Sequence, residues 1–175
     1  QQHIRPYTAD YNISPENTGL IISAMAGTMI VGKIIVGALS DSWDHRLLYW
    51  LTVASMMVGV FLMIGVPDFT LVLIAAVFLG FGGGGILPLM GSIFASRFGP
   101  MAFGRVLGIA GPFITLSSIG PPLTGFLRDT TGAYDEALLY LLLLTIPSVV
   151  IMAFLQPAHK MRTLNGEAAA PKAAE

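Results

Sequence analysis

The chain has 175 residues, 54% of them hydrophobic and 11% charged, with mean hydropathy +0.75 and net charge −1. A soluble domain carries about 25% charged residues, so the composition excludes an ordinary water-soluble fold and points to an integral membrane protein. The charge balance offers no basic surface for nucleic acid, and the absence of cysteine removes disulfide frameworks and thiolate metal sites.

The first residues, QQHIRPYTADYNISPEN, lack the basic and apolar regions of a signal peptide and begin without Met. They read as the interior of a longer chain. A membrane-spanning helix needs about 20 mostly apolar residues, because each adds about 1.5 Å across a core about 30 Å thick. Five stretches are expected to span: about 18–39, 47–66, 70–95, 103–127 and 137–155. Their separators, SDSWDHR, PDF, SRFGPMA and RDTTGAYDE, are short and polar or turn-forming. The tail, 159–175, is Ala/Pro-rich and polar and is expected to be disordered.

Helices are expected rather than barrel strands, since the apolar runs are about twice a barrel strand's length and do not alternate. Each helix bonds its own backbone inside lipid. GFGGGGILP, from Gly80 to Pro88, would break a soluble helix; among packed membrane helices it reads as a flexible or close-packed half-helix. Pro88, Pro112, Pro121 and Pro122 are expected to interrupt helices.

Orientation follows from Lys and Arg. Alternate separators place Arg46, Arg97, Arg105, Lys160, Arg162 and Lys172 on one side, against Arg5 and Arg128 on the other. The richer side, with the C-terminus, is expected to be cytoplasmic. Five spans then start outside and end inside, an odd count that a preceding helix would repair.

Lys33 is the one charge inside an apolar run, VGKIIVG. A charged residue at a helix centre costs about 2.5–3.5 kcal/mol or more and marks substrate or ion pathways. The alternative is snorkelling, because Lys33 lies about 9 Å from the helix end and its stem could carry the ammonium to the headgroups. His3, His45 and His159 fall outside the spans, and no span holds paired carboxylates. A membrane-embedded enzyme therefore lacks machinery, a channel lacks a charged ring or filter, and no cofactor is expected.

GALSDSWDHR, from Gly37 to Arg46, resembles the loop motif of the major facilitator superfamily, roughly G-x-L-x-D-R-x-G-R-R/K. Gly37, Leu39, Asp41 and Arg46 match; Ser42, Asp44 and His45 depart from it. GRVLGIAGPFITLSSIGPPLTGFLRDTTGAYDEAL is similar to the eleventh helix and following loop of the monocarboxylate-transporter and oxalate/formate-antiporter branch. There Gly120, Pro121, Pro122, Gly125, Leu127, Asp129, Gly132 and Tyr134 carry the pattern. The resemblance implies an all-α integral membrane fold: five spans, 18–158, forming the C-terminal half of a twelve-helix transporter, with 1–17 ending a truncated seventh helix and its outer loop.

It further implies a secondary transporter that moves a small solute, an organic anion such as a carboxylate, by alternating access, by symport or antiport with or without a coupled ion. Lys33 takes the place of a substrate-contacting arginine, and Ser117 could offer a hydroxyl. Proton-coupled members carry an aspartate one turn before Lys33, where this chain has Met29. Gly37, Asp41 and Arg46 would act in gating, Asp41 facing a helix N-terminus in the N-terminal half. The expected partners are the substrate, the bilayer and that half; the expected location is the inner (plasma) membrane of a bacterium.

Overall fold

The computed structural model describes residues 4–65, 68–132 and 134–154, the side chains of Pro100 and Ser117 excepted. The expected tail, 159–175, lies outside the described residues. Every regular element among those described is helical.

Helix α1, Ile4–Asp10, is short and closes at Asn12, whose φ of 56° is a left-handed conformation that asparagine tolerates. Helix α2 then runs Pro15–Leu39. Hydropathy places its start at Thr18, but the cap sets it three residues earlier: Ser14 Oγ accepts from the Asn17 N–H at 3.3 Å, and Pro15 occupies the first turn, where its missing N–H costs nothing. Helix α3, His45–Leu62, begins on Asp44, whose Oδ1 accepts from the Arg46 N–H at 2.9 Å.

Helix α4, Phe69–Leu116, contains one non-helical residue, Gly99 (φ 73°, ψ 165°). That residue separates two spans. Helical dihedrals continue through Pro88 and Pro112, so the expected interruptions at these prolines are absent and the break falls on the glycine, whose missing side chain permits positive φ. A short 3₁₀ turn, Ser117–Ile119, leads into α5, Gly120–Thr131, with Pro121 and Pro122 in its first turn. Helix α5 ends on left-handed Gly132, and α6 covers Asp135–Phe154.

Among the described residues, five segments are long and apolar enough to cross a membrane: Pro15–Leu39, His45–Leu62, Phe69–Gly99, Met101–Thr131 and Asp135–Phe154. The N-terminal half of α4 lies between α2 and α3 and packs on both, while α6 packs on α3 and α5.

Glycine makes that layer close. A Cβ on Gly80 or Gly84 would strike the α2 backbone at Met25 or Met29, and one on Gly32 would strike the Phe81 carbonyl. On the α3 side, Gly82 and Gly59 leave room for Thr52 and Leu79 respectively. Between lipid-soluble helices there is little hydrophobic drive, so such backbone approach supplies the dispersion contacts that hold them together. Ser55 adds a hydrogen bond from α3 to the Phe78 carbonyl of α4, 2.8 Å. Apolar clusters close both ends, one around Tyr7, Ile21, Val72 and Tyr134, the other around Val36, Leu48 and Leu89.

Candidate functional site

Met25, Thr28, Met29, Gly32 and Val36 form the stripe that α2 presents to α4. Lys33 follows Gly32 by one residue and is therefore turned about 100° around the helix from it. Its side chain is exposed, above Met29 and below Gly37 on neighbouring turns. Among the described residues no carboxylate lies within ion-pair distance of it. The flanking Ile30, Val31, Ile34 and Ile35 are exposed as well. The chain thus holds an uncompensated cation beside the glycine-packed layer, on a face open to whatever surrounds these helices.

Beyond Lys33 the helix ends in a tightly bonded turn. Ser40 returns its N–H to Val36 and its hydroxyl to the Gly37 carbonyl, while the Trp43 N–H reaches Leu39 at 2.8 Å. Gly37 lies against Pro88 of α4. His45 is buried, with Nε2 at 2.8 Å from Ser92 Oγ and 3.1 Å from the Ser40 carbonyl. This imidazole ties the end of α2 and the start of α3 to α4. Hydropathy leaves His45 outside the spans, whereas α3 begins on it because Asp44 caps the helix there; its partner Ser92 carried no signal in the sequence.

Asp41 is exposed and makes no side-chain hydrogen bond among the described residues, whereas Asp44 is spent on capping α3. Arg46 lies over the Trp50 ring at 5.4 Å, a cation–π contact. The structure therefore gathers Gly37, Asp41 and Arg46 at one end of the bundle, with Lys33 about 9 Å along α2 from that end. Ser117 does not join them on any observation here; its side chain lies outside the described residues, and Ser118 is exposed in the 3₁₀ turn.

The opposite end is held by polar contacts between distant segments. Arg128 Nη2 donates to Asp10 Oδ1 at 2.8 Å and Nε to Oδ2 at 3.3 Å, with a weaker contact to Asp129. Tyr7 donates to the Met63 carbonyl and Tyr11 to the Gly65 carbonyl, the latter at 2.7 Å, while the Gly65 N–H reaches Asp135. Burial, reinforced by Tyr11 and Asp135, pushes the Tyr7 hydroxyl well above its ordinary range; burial also raises Tyr11.

Among the described residues no three His, Asp or Glu side chains come together as a metal would require. The arrangement offers cations, hydroxyls and close-packed helices.

The sequence profile of the Major Facilitator Superfamily matches residues 4–174. The chain belongs to this superfamily. It is 27% identical over 161 residues to the multidrug resistance protein B homolog of Mycobacterium tuberculosis, covering 89% of this chain and 29% of that protein. It is 26% identical over 140 residues to monocarboxylate transporter 2 of Rattus norvegicus, covering 75% of this chain and 28% of the transporter. Monocarboxylate transporter 12 of the same species aligns over 169 residues at 24%, 91% of this chain and 34% of that one. The superfamily chain thus spans about a third or less of the length of the curated relatives it matches. No solved structure matches it. Family and apolar helices together make it an integral membrane chain of a transporter family.

Proposed function

We propose that this chain is the C-terminal half of a secondary transporter that carries a small organic anion, a carboxylate for choice, by alternating access. The observation that carries the reading is Lys33, an ammonium six residues inside the end of a 25-residue apolar helix and without an ion-pair partner among the described residues. Exposed to hydrocarbon it would cost several kcal/mol; facing a water-filled cavity between two halves it would attract an anion and hold it in a medium of low dielectric. Two of the relatives, monocarboxylate transporters, support that substrate class.

The same placement argues against a cationic cargo, which Lys33 would repel. The multidrug relative's name is accommodated only if the solute is neutral or anionic. In this proposal the uncoupled Asp41 faces a helix N-terminus of the other half and holds one gating state closed, with Gly37 and Arg46 shaping the turn. Met29, one turn before Lys33, leaves that position without a proton carrier, which favours exchange of anions over proton symport.

The test is counterflow. The full-length protein in proteoliposomes preloaded with unlabelled pyruvate should drive transient accumulation of labelled pyruvate. Equilibration without overshoot would indicate a channel, and chemical conversion of the solute an enzyme.

A further inference from the structure

The geometry points to a second anion station at the other end of the bundle: an open cleft between α1 and the start of α2, headed by Arg5, that takes a small organic carboxylate. For the ligand's class the inference rests on the reading above; for the site it rests on independent observations. The cleft has a volume of about 420 Å³, within the range of small-molecule sites. Its walls are largely apolar, with Ile13, Gly19 and Ile22 facing Arg5, Thr8 and Thr18.

Three features make Arg5 available. Its backbone is fixed: Thr8 donates to the Arg5 carbonyl at 3.0 Å, and the Thr18 hydroxyl joins Thr8 at 2.9 Å, so both buried threonines anchor this turn to α2. The nearest carboxylate along α1, Asp10, is taken by Arg128. Among the described residues no other carboxylate pairs with the Arg5 guanidinium, which stays exposed at the cleft. A guanidinium fork binds a carboxylate through two parallel hydrogen bonds, and the Ile13 and Ile22 walls accept an apolar body. Together these select an anion with a short hydrophobic tail over phosphate or a dicarboxylate.

The experiment measures benzoate binding calorimetrically to the full-length protein in phosphatidylcholine nanodiscs. Five forms are compared: wild type, Lys33→Met, and Lys33→Met carrying Arg5→Gln, Arg5→Lys or the cleft-filling Gly19→Leu, whose new side chain meets nothing within 4 Å at its Cβ. Benzoate should still bind Lys33→Met. Adding Arg5→Gln to that background should weaken the remaining site at least about tenfold, Arg5→Lys should restore part of it, and Gly19→Leu should block it with the fold intact by circular dichroism. Loss of all binding in Lys33→Met would overturn the second station while leaving the transport site standing. Full benzoate affinity in Lys33→Met carrying Arg5→Gln or Gly19→Leu would overturn it too. Benzoate binding that depends on Arg5 and Gly19 but not on Lys33 would uphold the station and count against Lys33. If no form binds benzoate the proposal fails, and loss of co-purified phosphatidylglycerol from Arg5→Gln in native mass spectrometry would then identify the occupant as a lipid headgroup.

Discussion

Arg128 and Asp10, 118 residues apart, close one end of the bundle through three hydrogen bonds, 2.8, 3.1 and 3.3 Å long. The pair joins α1 to α5 rather than bracing a local turn. Both side chains are about a third exposed, so water and salt weaken their attraction. Arg128→Gln should therefore leave the thermal midpoint in detergent nearly unchanged, while amide exchange across residues 4–11 speeds up. A large fall in the midpoint would show that the pair supports the whole bundle instead of docking α1.

Tyr7 gives this end a pH dependence whose sign can be worked out. Its folded pKa lies above the ordinary value of about 10, because burial disfavours the phenolate. The contribution is fully present below the unfolded pKa and is lost as pH rises toward the raised folded value. Alkaline titration followed at 295 nm should show a late tyrosine wave, absent in Tyr7→Phe, with α1 exchange accelerating above about pH 10. Uniform titration of all tyrosines near the ordinary value would contradict the burial.

Gly83 and Gly84 are neighbours with opposite expected responses. A Cβ on Gly84 meets the Met29 backbone, whereas one on Gly83 meets nothing within 4 Å. Gly84→Ala should destabilise the α2–α4 contact by about 1–3 kcal/mol through overpacking. Gly83→Ala should be neutral or stabilising by up to about 1 kcal/mol, from helix propensity. Detergent unfolding midpoints compare them directly; equal responses would contradict the close approach.

At the other end, His45→Ala removes one partner of Ser92 and of the Ser40 carbonyl, leaving these two only the 3.3 Å hydrogen bond between them. Losing a hydrogen bond of this kind costs about 0.5–1.5 kcal/mol. Proteolysis between Leu39 and Arg46 should accelerate, and the effect of Ser92→Ala should shrink in the His45→Ala background. Additive effects would mean that the two side chains do not act together.

The spans were legible because apolar length alone distinguishes them. Their ends were not, since Ser14 and Asp44 start α2 and α3 by capping, a local hydrogen bond that hydropathy ignores. Gly80–Pro88 could be read as close-packed, but the helix continues through Pro88 and breaks instead at Gly99. Proline removes one N–H; whether the helix bends depends on neighbours that sequence does not place. Lys33 stood out because charge in an apolar run is costly. Asp10 for Arg128, and Ser92 for His45, were invisible because such pairings arise only when distant segments fold together.

The central claim is that Lys33 binds the transported anion, and the most direct measurement is pyruvate uptake by full-length Lys33→Met, normalised to protein in the membrane. Methionine keeps the apolar stem and removes the charge, so the helix should insert as before. Lys33→Met should lose about 10- to 150-fold in uptake at sub-saturating substrate, the size of a charge-assisted hydrogen bond, with Lys33→Arg retaining activity and Lys33→Glu inactive. Uptake by Lys33→Met equal to wild type would contradict it and leave Lys33 as a cation that snorkels to the membrane surface.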